Sequence, residues 1–230
     1  GGIEVLVCIP DGKEVAQKTF NPMLGIEGGL SILGTSGIVE PMSEQALVDT
    51  IALELRQAAA LGAKRLILTL GNYGEDFLRK NQMSGDAVPV VKCSNFIGDA
   101  LDITSTHPFT EVLLMGHIGK LVKLAGGVMN THSRYADCRT ELVCAYAAVC
   151  GASKEVCMAL LQAATTDACI EILDSAQLRQ PVLDCLLKAI QQHLDHRVCG
   201  KYRIGAVLFS NQYGLLGQTQ MAKEIIESWK

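Results

Sequence analysis

Between residues 65 and 119 one grammar recurs: a short apolar run, a glycine-containing turn, then a helical pattern. Residues 65–70 (RLILTL) lead into Gly71-Asn72-Tyr73-Gly74-Glu75-Asp76 and a helix from Phe77. Residues 88–93 lead into SNFIGDA and a helix reaching about Thr104, and residues 111–115 (EVLLM) run into Gly116-His117-Ile118-Gly119. Such short runs are strand-sized, and their lack of alternation marks strands covered on both faces. Strands of that kind alternating with helices specify an α/β fold, a Rossmann-like, mostly parallel sheet flanked by helices.

The rest of the chain extends this plan. Residues 3–9 (IEVLVCI) are β-rich and stop at the turn Pro10-Asp11-Gly12. Ser43 is a natural N-cap, since its hydroxyl can accept from a first-turn amide. Val48, Ile51, Ala52, Leu55 and Ala59 then share one helical face, and Gly62 stands where a C′ glycine would end the helix. Past Asp137 helical patterns dominate. Ser153 caps one helix to about Ala164, Thr166 or Asp167 opens another, and Pro181 is expected at the first position of a third. In that third helix Val182, Leu183, Leu186, Leu187, Ile190 and Leu194 share a face. A strand over 202–209 and a helix over 220–229 follow. With no low-complexity linker, the chain reads as a single domain over 1–230, helix-rich between about 137 and 198.

Composition narrows the function. A formal net charge of −4 with 19% charged residues argues against general nucleic-acid binding, which calls for a basic excess to neutralise phosphates. No apolar run approaches the length of a membrane span and no signal-peptide pattern opens the chain, so a cytoplasmic protein is expected. Nine cysteines, an odd number with no Cys-x-x-Cys among them, fit free thiols acting as small buried hydrophobes. No His/Asp/Glu spacing makes a convincing metal site, so no metal is expected. A homo-oligomer is compatible with these patterns.

In parallel sheets ligands bind beyond the carboxyl ends of the strands. Four turns fall at that edge: Gly34-Thr35-Ser36-Gly37, Gly71-Asn72-Tyr73-Gly74, Asn95-Phe96-Ile97-Gly98 and Gly116-His117-Ile118-Gly119. None has the G-x-G-x-x-G spacing that follows the first strand of a standard NAD site. In the second, the Tyr73 ring can stack on a purine and Glu75 can take two ribose hydroxyls, a fit for a nucleoside-containing cofactor. The plainer alternative is a helix start, with Glu75 and Asp76 favoured by the helix dipole.

The segment after the third run is unusual: Gly116 to Arg139 gathers His117, Lys120, Lys123, His132, Arg134 and Arg139 with four glycines. Lys120 and Lys123 share one side if the chain is helical there, and a solvated face is the plain reading of them. His132, set among Thr131, Ser133, Asp137 and two arginines, is a candidate for orienting or titrating chemistry.

The blocks TFNPMLGIEGGLSILGTSGIVEPMSEQAL, GNYGEDF, KCSNFIGDAL and GHIGKLVKLAGGVMNTHSRYADCR, in this order, resemble the signature blocks of the CbiD family, the cobalt-precorrin-5B (C-1)-methyltransferases of anaerobic cobalamin biosynthesis. The similarity runs from about Ile3 to the last helix and weakens after about Gly151. Members of that family carry a further N-terminal region, which this chain is expected to lack. The resemblance implies methyl transfer from S-adenosyl-L-methionine to carbon C-1 of a cobalt-bound macrocycle, giving cobalt-precorrin-6A. With that donor, the turn residues Gly71, Asn72, Tyr73, Gly74 and Glu75, with Gly34, Thr35 and Gly37, are the residues expected on the cofactor. His117, Lys120, Lys123, Ser133, Arg134 and Arg139 would then bind the substrate, whose rim carboxylates suit the cations. His132 is the expected proton acceptor, oriented by Asp137. Two other readings stand beside it: a nicotinamide-dependent reductase of a tetrapyrrole pathway, and a non-catalytic tetrapyrrole-binding module.

Overall fold

The computed structural model describes residues 2–4, 8–19, 22, 27–30, 43–81 and 88–229, with backbone alone at residues 72, 75 and 79–81. It divides into two compact units, Gly1–Glu54 and Leu55–Lys230. The strand expected over 3–9 includes residues outside the described set, and so do Gly34, Thr35 and Gly37. The first unit holds a short helix α1 (Gly12–Gln17) and the first part of α2 (Glu44–Ala60), which runs across the division. Ser43 caps α2, its Oγ accepting from the Ala46 amide at 3.1 Å. At the other end the Gly62 N–H bonds the Ala59 carbonyl and the Ala63 N–H bonds that of Ala58. That crossed pair is a Schellman ending, and it holds Gly62 at φ +86°, where a side chain would be strained.

In the second unit β1 (Arg65–Thr69), α3 (Asn72–Asn81), β2 (Val90–Lys92), α4 (Ile97–Thr104) and β3 (Glu111–His117) realise the recurring grammar. α3 begins five residues before Phe77, because the turn sequence is itself the first turn of the helix. After β3 come the short α5 (Ile118–Leu121), a 3₁₀ segment Val122–Gly126, and the helices α6 (Arg139–Val149), α7 (Lys154–Gln162), α8 (Thr166–Ser175) and α9 (Arg179–Val198). Ser153 caps α7 as expected and Thr165 caps α8. Pro181 lies at the third position of α9, not the first; it is tolerated there because first-turn amides have no partner within the helix. The chain returns to the sheet as β4 (Arg203–Ser210), turns into β5 (Gly214–Gln218) and ends in α10 (Gln220–Ser228).

The sheet order is β2-β1-β3-β4-β5, parallel except for β5, which pairs antiparallel with β4. Strand residues alternate between two covered faces. Ile67, Leu113, Met115, Val207 and Phe209 pack with Leu78 and Ala222 in one cluster, with Phe77, Ile226 and Trp229 against it. Phe77 stacks on Phe209 at 4.4 Å between ring centroids. The face expected on α9 is buried as read, from Val182 to Leu194. At the amino edge Glu111 draws the elements together, accepting from Arg203 at 3.0 Å and the Trp229 indole at 2.7 Å.

Candidate functional site

With the order 2-1-3-4-5 the connections leave β1 and β3 toward opposite sides, and that reversal opens a crevice at their carboxyl ends. The structure has a cavity of about 700 Å³ there. β1 delivers Leu70, Gly71, Tyr73 and Gly74; β3 delivers Gly116, His117, Gly119 and Lys120; β4 delivers Phe209 and Asn211. The helical subregion supplies Arg139 and, at the start of α8, Thr165, Thr166 and Asp167. Gly71 has φ +129°, a conformation open to glycine, and turns the chain from β1 into α3 with its backbone facing the cavity. Tyr73 stays 65% exposed, its ring available at the rim.

Three ionisable side chains in the cavity have defined surroundings. His117 Nδ1 accepts from the Gly119 amide at 3.1 Å, so the neutral ring carries its proton on Nε2 and offers a donor. Its ring edge meets Phe209 at 5.7 Å. Burial lowers the His117 pKa, opposed by the nearby Asp167 carboxylate. Lys120 Nζ lies 3.4 Å from the Leu70 carbonyl, and burial lowers its pKa as well. Asp167 accepts from Ser210 Oγ at 2.7 Å, and Ser210 Oγ in turn accepts from the amides of Gln212 and Tyr213.

The lowered pKa of His117 gives a signed prediction. Between the depressed native pKa and the ordinary value near 6.5, the unfolded chain binds more protons than the folded one, so stability rises with pH across that window. His117→Asn keeps an acceptor for the Gly119 amide. Denaturant titrations at pH 5 to 7.5 are expected to give a shallower slope for the variant than for the parent; equal slopes would remove His117 from the balance.

A smaller cavity of about 260 Å³ adjoins the first and shares Arg139, Thr165 and Thr166 with it. Arg139 forms a two-point ion pair with Asp137, at 2.6 and 2.8 Å. That pairing holds the Asp137 carboxyl below its ordinary pKa.

The structure thus brings together Gly71, Tyr73, Gly74, His117, Lys120 and Arg139 of the expected site residues, and separates others from them. The backbone of Asn72 and Glu75 lies in the first turn of α3. Lys123 is 2% exposed, and its ammonium donates to the carbonyls of Thr131 (3.1 Å) and Ala136 (2.7 Å), with Asp137 at 3.8 Å. His132 is exposed, and its Nδ1 accepts from the Arg134 amide at 3.1 Å, while Asp137 is engaged by Arg139 and Lys123. Arg134 lies over the Tyr135 ring at 5.1 Å, and Ser133 is exposed. Thr165, Thr166, Asp167 and Asn211 line the cavity without any sequence signal that marks them as site residues. Their segments carry no local motif, and only the return of α8 and β4 to the sheet edge places them.

All nine cysteines are free. Burial pushes Cys93 up to about 12 and Cys169 to about 11, so both are neutral packing residues. Among the described residues no group of His, Cys, Asp or Glu is placed to hold a metal, and no helix is long and apolar enough to cross a membrane.

Comparison with known proteins agrees along the whole chain. Residues 1–41 match the family described as CbiD, and residues 130–220 match its C-terminal domain, together more than half the chain. The chain is 45% identical to the cobalt-precorrin-5B C(1)-methyltransferase of Ruminiclostridium cellulolyticum over 98% of this chain and 61% of that protein. It is 40% identical to the protein of that name from Alkaliphilus metalliredigens, over 100% of this chain and 60% of the relative. To the one from Methanocaldococcus jannaschii it is 42% identical, over 85% and 54%. The chain therefore spans about three-fifths of the length of the first two relatives. No solved structure matches it. Two family matches at the two ends, and relatives aligned across nearly all of what lies between, establish that the chain belongs to the CbiD family.

Proposed function

We propose that this chain carries the methyl-donor site of a cytoplasmic cobalt-precorrin-5B C(1)-methyltransferase, with S-adenosyl-L-methionine as donor and the cobalt-precorrin as acceptor. The supporting observation is the cavity at the β1/β3 reversal, which combines an exposed aromatic ring, close backbone at Gly71 and Gly74, and a half-buried lysine. Its volume is within the ~300–1,000 Å³ range of small-molecule sites. Those features fit a nucleoside that bears a carboxylate. Tyr73 supplies a face for the purine, and the first turn of α3 supplies backbone amides. Lys120 lies inside the cavity, where it suits the donor's carboxylate better than the substrate's rim. Arg139, at the junction of the two cavities, keeps N–H groups beyond those given to Asp137 and suits the carboxylates of the macrocycle. Nine free thiols are consistent with a reducing compartment.

When bound, the donor supplies a methyl group on a positively charged sulfur. The protein's part is alignment, holding the two partners in line while Leu70, Phe209 and the buried strand ends limit water at the reacting centre. Calorimetric titration with S-adenosylhomocysteine is expected to show micromolar binding, about −8 kcal/mol, with no response to NADH. Binding of NADH in place of S-adenosylhomocysteine would overturn the reading in favour of a reductase.

A further inference from the structure

Within the donor reading, on which this inference rests, the cavity holds opposite charges in a defined arrangement. Lys120 enters from the end of β3, Arg139 from the start of α6, and Asp167 from the first turn of α8. Asp167 is the carboxylate among the described lining residues of this cavity. Ser210 holds its Oδ1 at 2.7 Å, and Ser210 is itself 1% exposed and fixed by two backbone amides. The carboxylate is therefore oriented before any ligand arrives, with Oδ2 left as its ready acceptor. A grip on two adjacent ribose hydroxyls engages both oxygens, whereas one strong cationic donor needs one.

We infer that Asp167, positioned by Ser210, binds the α-ammonium group of the methyl donor, with Lys120 taking the α-carboxylate. The site thereby selects a ligand that carries an intact zwitterionic amino-acid end. A neutral or purely anionic nucleoside leaves the Asp167 carboxylate without its cation, and that selects against such ligands. Ser210 is a positioning residue, since it acts through Asp167.

The test uses two probes, S-adenosylhomocysteine and 5′-methylthioadenosine, which keeps the nucleoside and the thioether but lacks the amino-acid end. Asp167→Asn retains an oxygen to accept from Ser210, and a melting curve matching the parent's confirms the fold. In calorimetry the variant is expected to bind S-adenosylhomocysteine tenfold weaker or more, roughly the value of a charge-assisted hydrogen bond, and methylthioadenosine at least as tightly as the parent does. Ser210→Ala is expected to reproduce a smaller part of the same selective loss. Equal weakening of both probes would place Asp167 on the nucleoside and overturn the inference while leaving the donor site standing. Unchanged S-adenosylhomocysteine affinity would also overturn it. Failure of the parent chain to bind S-adenosylhomocysteine overturns the donor reading itself and the inference with it.

Discussion

Gly205→Ala is expected to destabilise the chain by about 3 kcal/mol or more, lowering the melting temperature by about 6–12 °C for a chain of this size. Gly205 lies inside β4, opposite Leu113 of β3. A Cβ there would overlap the backbone N and Cα of Ala222 and approach its Cβ to 2.7 Å. These atoms belong to the first turn of α10, and that turn is tied down: Thr219 Oγ1 accepts from the amides of both Ala206 and Ala222. The Thr219 N–H also donates to the Ala206 carbonyl at 2.9 Å. Relief requires moving a helix against a strand, since no side chain can swing aside. Gly217 is the control. A Cβ there meets the Leu187 Cδ1 at 2.6 Å, the far end of a flexible side chain, so Gly217→Ala is expected to cost much less. Equal midpoints for the two variants in urea would show that backbone contact is not the cause. The change also reaches the site, because Phe209 follows on the same strand and forms cavity wall between Phe77 and His117.

The close approach at Gly205 was hidden in the sequence, where RIGAVLF reads as an ordinary strand with a weak point. What was legible follows from local physics. Ser43 and Ser153 cap the helices they precede because a hydroxyl is best placed to accept from the first-turn amides. The apolar runs at 65–70 and 111–115 are strands because they lie between two helical layers. β5 carries no strand signal of its own because Gly214-Leu215-Leu216-Gly217-Gln218 is a glycine-bearing edge strand with neither alternation nor a continuous apolar run. The site divides the same way. Gly71, Tyr73, His117 and Lys120 follow their strands directly, so the sheet's carboxyl edge could be read residue by residue. Thr165 and Asp167 reach that edge only after α6 and α7, and Ser210 only after α8 and α9 as well, and no spacing rule encodes that path. The cluster around His132 shows the limit of local density. Its residues are close in sequence, yet Asp137 is engaged by Arg139 and Lys123, and the His132 Nδ1 by the Arg134 amide.

Lys120 and Lys123, alike in sequence and three residues apart, are expected to fail in opposite ways. Lys123→Met should lower stability by about 2–3 kcal/mol, because two carbonyls that share one buried ammonium lose their donor. Those carbonyls belong to the 131–136 loop, which is also zipped to the start of α4 by the Thr131 amide on the Asn95 carbonyl. Asp137 remains paired with Arg139, so no buried charge is stranded, and this keeps the cost below that of a broken buried ion pair. Hydrogen exchange is expected to rise across the loop, with S-adenosylhomocysteine affinity reduced a few-fold at most. Lys120→Met should leave stability unchanged or slightly higher, since burial already disfavours its charged form. It should weaken S-adenosylhomocysteine by about 10–100-fold, the loss of one charge-assisted contact. Stability and affinity measured on both variants separate the roles. If Lys123→Met instead removes binding at full stability, the cation that meets the ligand is the one the structure shows turned toward the loop.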